Sequence, residues 1–280
     1  MDRRDFLKNS ALAAGVAAAP FAHRLLGQEQ PVRKPIGVIL YTLRDQMKED
    51  FEGTLRKVAE MGYPAVEFAG YFGRSAQDIR RLLDDVGLAC CGAHEGIGGI
   101  ENQTGAKCDF MLTMGGRHLT VPSLPGEVRK QGAEGYRAFG ERLTKAGEKV
   151  AAAGCVLCYH NHSFEFEQVD GKPLYEYMLE TADPRVVKLE LDVFWAVHGG
   201  QDPAAYIRRF PGRFELLHMK DMAKEGGDFV PVGTGRLDMA GIVKAGQESG
   251  TQWYIVEQDR CQGSPFDAVA VSLKTLQQLL

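Results

Sequence analysis

Ile36-Gly37-Val38-Ile39-Leu40-Tyr41 is an unbroken apolar run, and an amphipathic stretch over 50–61 and the turn Gly62-Tyr63-Pro64 carry it to a second run, Ala65-Val66-Glu67-Phe68. An apolar run without polar alternation reads as a strand covered on both faces, the condition of a parallel sheet. The segment between the two runs is long enough for a crossover helix. Strand, helix, strand is therefore the unit. It recurs through runs at 88–94, 117–121, 155–161, 186–192, 214–220 and 253–257, separated by helical patterns at 75–86, 134–153, 173–182, 202–210 and 238–248 and closed by one at 265–279. Ser75 supplies a cap for the helix over 75–86. The third unit is weak, because 95–116 is glycine-rich and offers a helix only around 108–114. Eight such units in about 250 residues predict a closed (β/α)8 TIM barrel, one α/β domain over 31–280. A doubly wound sheet is the alternative, but no run leads into the Gly-x-Gly-x-x-Gly turn that cradles a dinucleotide.

The 280 residues are 44% hydrophobic and 25% charged, enough to bury a large core. Thirty-three basic against 37 acidic side chains give a net charge of −4, which offers no footprint for a phosphate backbone, so nucleic acid is not an expected partner. Six scattered cysteines do not make a disulfide framework. Cys155 and Cys158 have Cys-x-x-Cys spacing, yet three residues apart on a strand they face opposite sides; adjacent Cys90 and Cys91 diverge as well. Core packing is the expected role. Residues 1–30 stand apart: Arg3-Arg4 precede Phe6-Leu7-Lys8, and the small apolar run 11–19 follows. This reads as a twin-arginine signal peptide for export to the periplasm or beyond, too short and alanine-rich to be a stable membrane anchor.

In a barrel of this kind the site lies where the strands end, so charged residues terminating apolar runs carry the most information. Glu67, His94, His160 with His162, Asp192, His218 with Lys220, and Glu257 all occupy such positions. Asp192, His218 and Glu257 on three successive strands offer nitrogen and oxygen ligands to one divalent cation, Mn, Co, Mg or Zn. The period-two parity of a strand places Asp192 with Glu190 and Lys188, and His218 with Lys220, on one face. Gly233-Thr234-Gly235 suits a mobile loop over the rim or a plain turn.

Five longer motifs, in order, carry a resemblance. They are Tyr159-His160-Asn161-His162-Ser163-Phe164-Glu165-Phe166, Leu191-Asp192-Val193-Phe194-Trp195-Ala196 with 199–203, His218-Met219-Lys220-Asp221, Val232-Gly233-Thr234-Gly235, and Val256-Glu257-Gln258-Asp259. Over 35–280 the chain resembles the sugar phosphate isomerase/epimerase family of the xylose isomerase-like barrels. The resemblance implies one divalent metal held by Asp192, His218, Glu257 and a fourth ligand from the fifth strand, either Glu165 or His160; a hard metal favours the carboxylate of Glu165. His162 is then free as an acid/base, Glu165 and Glu257 can shuttle protons, and Lys220 can stabilise an oxyanion. Tyr41, Glu67, His94, His160 and Trp195 would line the pocket of a small sugar or keto-glycoside. The implied chemistry removes a proton beside a sugar carbonyl and ends in isomerisation, epimerisation, or dehydratase or lyase elimination; a periplasmic sugar-binding barrel is the non-catalytic alternative. Endonucleases of this fold gather several zinc ions on many histidines, and this acidic, histidine-poor chain does not look like them. Export favours a sugar without a phosphate, and a homo-oligomer is left open.

Overall fold

The computed structural model describes residues 34–280; the segment expected to direct export lies outside them. Eight parallel strands close into a barrel: β1 (Ile36–Ile39), β2 (Ala65–Phe68), β3 (Ala89–His94), β4 (His118–Val121), β5 (Val156–His160), β6 (Val187–Asp192), β7 (Phe214–Met219) and β8 (Trp253–Val256). Closure is made by β1 on β8, with Ile36 opposite Tyr254 and Val38 opposite Val256. Each expected run contains one of these strands, because a stave packed on both faces must be apolar along its length.

The helices begin where short polar side chains satisfy their first amides. Asp50 accepts from the Gly53 amide ahead of Phe51–Glu60, and Ser75 from Asp78 ahead of Ala76–Val86. Asp238 caps Met239–Ser249, and Ser264 with Pro265 opens Pro265–Leu279. The glycine-rich third unit holds two helices, Ile97–Asn102 and Thr104–Thr113, where the sequence offered only part of one. Its hydrophobic residues do not gather on one stripe, so periodicity was a weak guide. A further short helix, Val193–His198, follows β6 directly and was not expected.

Inside the barrel, Ile39, Ala65, Cys91, Cys158, Leu216 and Ile255 form a buried apolar layer, while Cys90 and Cys155 belong to the shell between strands and helices. The opposed faces expected for each cysteine pair are therefore observed, and all six thiols are free. At the strand starts, His118 Nε2 lies 3.1 Å from Glu215 and Lys188 pairs with the same carboxylate. Towards the strand ends the interior turns polar. Between Val66 and Glu67 the register of β2 against β3 shifts, so that Glu67 comes opposite Gly92. A Cβ on Gly92 would stand 2.9 Å from Glu67 Oε1, so glycine leaves room for this inward carboxylate.

Candidate metal centre

The polar half of the barrel is built in two tiers. The outer tier comprises His160, Asp192, His218 and Glu257, whose ligand atoms all lie within 4.8 Å of one another, fully buried at the ends of β5 to β8. His218 Nδ1 is 2.7 Å from Glu257 Oε2, and His160 Nε2 is 3.7 Å from Asp192 Oδ2. Two imidazoles and two carboxylates at such separations are a donor set that fits a divalent ion. Beneath them His94, Glu67 and Glu190 complete an inner tier, with Glu190 Oε2 at 2.8 Å from His94 Nε2 and 3.0 Å from His160 Nδ1. His218 Nε2 turns to Glu67 at 2.7 Å and to Glu190 at 3.3 Å.

The ends of β5 and β6 are held in register by Asn161, whose side chain accepts from the Asp192 amide at 3.0 Å and donates to the Asp192 carbonyl at 3.3 Å. The His160-Asn161-His162 motif thus alternates: inward imidazole, strand clamp, rim imidazole. Asp192 also caps Val193–His198, accepting from the Trp195 amide, which ties the carboxylate to the segment that carries the indole.

Glu165 is not brought to this group. Its carboxylate accepts from the Tyr159 hydroxyl at 2.5 Å and the His162 amide at 2.9 Å, among Tyr136 and Tyr175 in the shell outside the barrel. The reason is strand parity: Tyr159 and His160 are neighbours and face opposite ways, so a carboxylate bonded to Tyr159 cannot share the interior with His160. Of the two fifth-strand residues, the structure brings His160 and not the preferred Glu165 together with Asp192, His218 and Glu257. Burial pushes the Glu165 carboxyl up to about 7.

Lys220 is buried at the rim, 2.8 Å from both Asp192 Oδ2 and Glu257 Oε2 and 3.0 Å from Asp259 Oδ2. Burial works against its charge, but Asp192 and Glu257 outweigh it and hold the ammonium protonated. Burial likewise raises Asp192 to about 6 against the pull of Lys220. Burial opposes ionisation of Glu257 too, yet Lys220 and His218 keep it well below the usual carboxylate range. Burial and the Lys220 charge lower His162 to about 4, leaving its ring neutral near pH 7.

An aromatic wall flanks this rim. The His162 ring stacks on Phe164 with centroids 5.6 Å apart and stands 5.7 Å from Trp195; Phe229 stands 5.7 Å from Trp195 and stacks on Phe194 at 4.3 Å. Lys220 Nζ lies 5.7 Å from the Trp195 ring and 5.9 Å from that of Phe229. Glu67 and His94, expected to line the pocket, lie instead in the inner tier. Tyr41 remains 43% exposed, its ring under the Arg44 guanidinium, while Arg44 reaches the Asp259 carbonyl.

Sequence reasoning gave no role to Glu190, Asn161, Asp259 or Phe229, although parity set Glu190 on the face of Asp192. Glu190 had a readable signal: a carboxylate in a doubly covered strand, two residues before Asp192, must sit inside the barrel. Of the two readings of Gly233-Thr234-Gly235, a mobile loop or a plain turn, the structure shows a pinned turn, for buried Asp221 accepts from the amides of Met222, Gly233, Gly235 and Leu237.

A family model described as the xylose isomerase-like TIM barrel matches residues 55–279, and the chain belongs to that family. An inosose dehydratase from Clostridium beijerinckii is 23% identical over 284 residues, spanning 87% of this chain and 95% of the relative. The crystal structure of a sugar phosphate isomerase/epimerase from Parabacteroides distasonis superposes with a TM-score of 0.79 at 28% identity, over 89% of this chain and 95% of that one. The IOLI protein, solved with a zinc atom, shares the fold with a TM-score of 0.68 at 13% identity, over 88% of this chain and 98% of its own.

Proposed function

We propose that this protein is a divalent-metal-dependent enzyme that removes a proton from the carbon beside the carbonyl of a sugar or cyclic keto-polyol. The observation that carries this reading is the outer tier, four buried ligand atoms within 4.8 Å on four consecutive strand ends. His160, Asp192, His218 and Glu257 would hold the ion. Bound there, it would supply positive charge that makes a carbon acid beside a coordinated carbonyl more acidic. The chain's own groups supply the rest. Neutral His162 has a buried Nδ1 with no protein partner among the described residues, an acceptor for a proton or a donor to a hydroxyl. Lys220 stays cationic beside Asp192 and Glu257 and can donate to an oxygen that gains charge. Glu257, at the rim, is the carboxylate placed to pass a proton on. Trp195 offers a face to sugar C–H bonds, and its buried Nε1 likewise lacks a protein partner among the described residues.

Two outcomes share this first step. Return of the proton gives an epimer or isomer; transfer of a proton to a β-hydroxyl expels water and gives dehydration. The inosose dehydratase likeness supports the second and the 28% identical isomerase/epimerase structure the first. The substrate is taken as unphosphorylated, in keeping with the export signal read at residues 1–30.

The test is isotope exchange. In deuterated water, metal-loaded protein offered ketoses, 3-keto-glycosides and inososes should wash deuterium into the carbon beside the carbonyl of at least one, and product analysis then separates epimerisation from loss of water. Glu257→Gln should lower exchange at least 100-fold, with metal content measured alongside. No exchange with any member of the panel at full metal occupancy leaves a sugar-binding barrel as the better account.

A further inference from the structure

The inner tier raises a question of its own: what are two wholly buried carboxylates, Glu67 and Glu190, doing under the ligand group? One answer is a second ion, since His94, His160, Glu190 and His218 also converge. His160 and His218 belong to both tiers, and each meets them through different ring nitrogens. His160 turns Nδ1 to Glu190 and Nε2 to Asp192; His218 turns Nε2 to Glu67 and Glu190 and Nδ1 to Glu257. Ions in both tiers at once would strip both protons from both rings. An ionised carboxylate, by contrast, only accepts, so each ring nitrogen facing Glu67 or Glu190 must carry a hydrogen. The other nitrogen of each ring, His160 Nε2 and His218 Nδ1, faces the outer tier. His218 Nδ1, 2.7 Å from the Glu257 carboxylate, carries a proton while the outer tier holds no ion, and an ion bound there takes that proton's place.

We propose that Glu190, with Glu67 as its partner on His218, is a positioning residue that holds His160 protonated on Nδ1 and His218 protonated on Nε2, so that both present a bare nitrogen to one outer ion. The inference rests on the metal centre proposed above and adds which residues prepare it. It follows the general arrangement in which a metal-bound imidazole donates its other N–H to a carboxylate. Here one carboxylate serves both ligand histidines and His94, and Gly92 keeps the space that Glu67 occupies.

The experiment uses the whole protein with 15N-labelled histidine and zinc ion as the probe. Long-range 1H–15N spectra report the tautomers, and zinc titration reports affinity and stoichiometry. Wild-type protein should bind one zinc per chain, and the zinc-loaded form should show both rings neutral with the two tautomers as assigned. Glu190→Gln should weaken zinc binding roughly 10- to 100-fold and disturb the tautomers of both His160 and His218. Glu67→Gln should disturb His218 and leave His160 as it was, a selectivity that loss of fold cannot mimic. His118 and His198, away from both tiers, serve as the controls for folding. Unchanged affinity and tautomers in Glu190→Gln, or two zinc ions per wild-type chain, overturns the positioning role. Wild-type protein that takes up no zinc overturns instead the metal centre on which it rests.

Discussion

Glu165 illustrates how one buried carboxyl sets a pH dependence. Held between the Tyr159 hydroxyl and the His162 amide, it has a pKa raised by burial from 4.5 to about 7. A carboxyl raised in the folded state favours folding while protonated. Its contribution is complete below the unfolded value near 4.5 and is lost as the pH climbs through about 7. The loss across that window is about 3 kcal/mol. Glu165→Gln keeps an acceptor for the His162 amide and removes the titration. Denaturant unfolding at intervals from pH 4.5 to 8 should show the difference between wild type and variant changing through this window; parallel curves would refute the assignment. The same residue shows what strand parity can decide at the scale of single side chains. Tyr159, Glu165 and His160 are close in sequence, and the choice between two fifth-strand ligands turned on which side of one strand each occupies.

Among the elements, the segment following β7 depends most on one side chain. Asp221 is buried and accepts from four main-chain amides, shaping 221–237 into a turn that carries Phe229 beside Trp195 and Lys220. A Cβ on Gly235 would lie 2.2 Å from the Met222 carbonyl, which shows how closely this turn is drawn in. Asp221→Asn replaces one accepting oxygen by a donor facing other donors and should cost about 2 kcal/mol of stability. If Phe229 helps to position the sugar, the variant should also raise KM more than it lowers kcat. Equal unfolding midpoints for the variant and the wild type would show that the turn does not need the carboxylate. Helix caps were legible in sequence because they are local, as at Ser75. Of the helices over 97–113 only the end of the second, from 108 on, was legible, since their residues show little periodicity.

For the whole molecule, we propose export through the twin-arginine route, which carries folded proteins and would let the metal be loaded first. Replacing Arg3 and Arg4 by lysine should strand the protein in the cytoplasm, and fractionation with an activity or antibody readout checks this. Undiminished appearance in the periplasm would sink the twin-arginine reading and leave a general secretory signal standing. No helix among the described residues is long and apolar enough to span a membrane.

The order of strands and helices, the closed barrel they imply and the convergence of Asp192, His218 and Glu257 could be read from the chain, because each rests on short-range periodicity and on the rule that strand ends share a rim. Pairing across the barrel could not. His160 as the partner in place of Glu165, Glu190 beneath three imidazoles, Lys220 among three carboxylates and Phe229 against Trp195 join residues far apart in sequence. Their association depends on register, on its shifts between Val66 and Glu67 and between Leu189 and Glu190, and on which atoms burial forces together. Periodicity says which face a residue takes; only the closed packing of all eight strands says which residues it meets there.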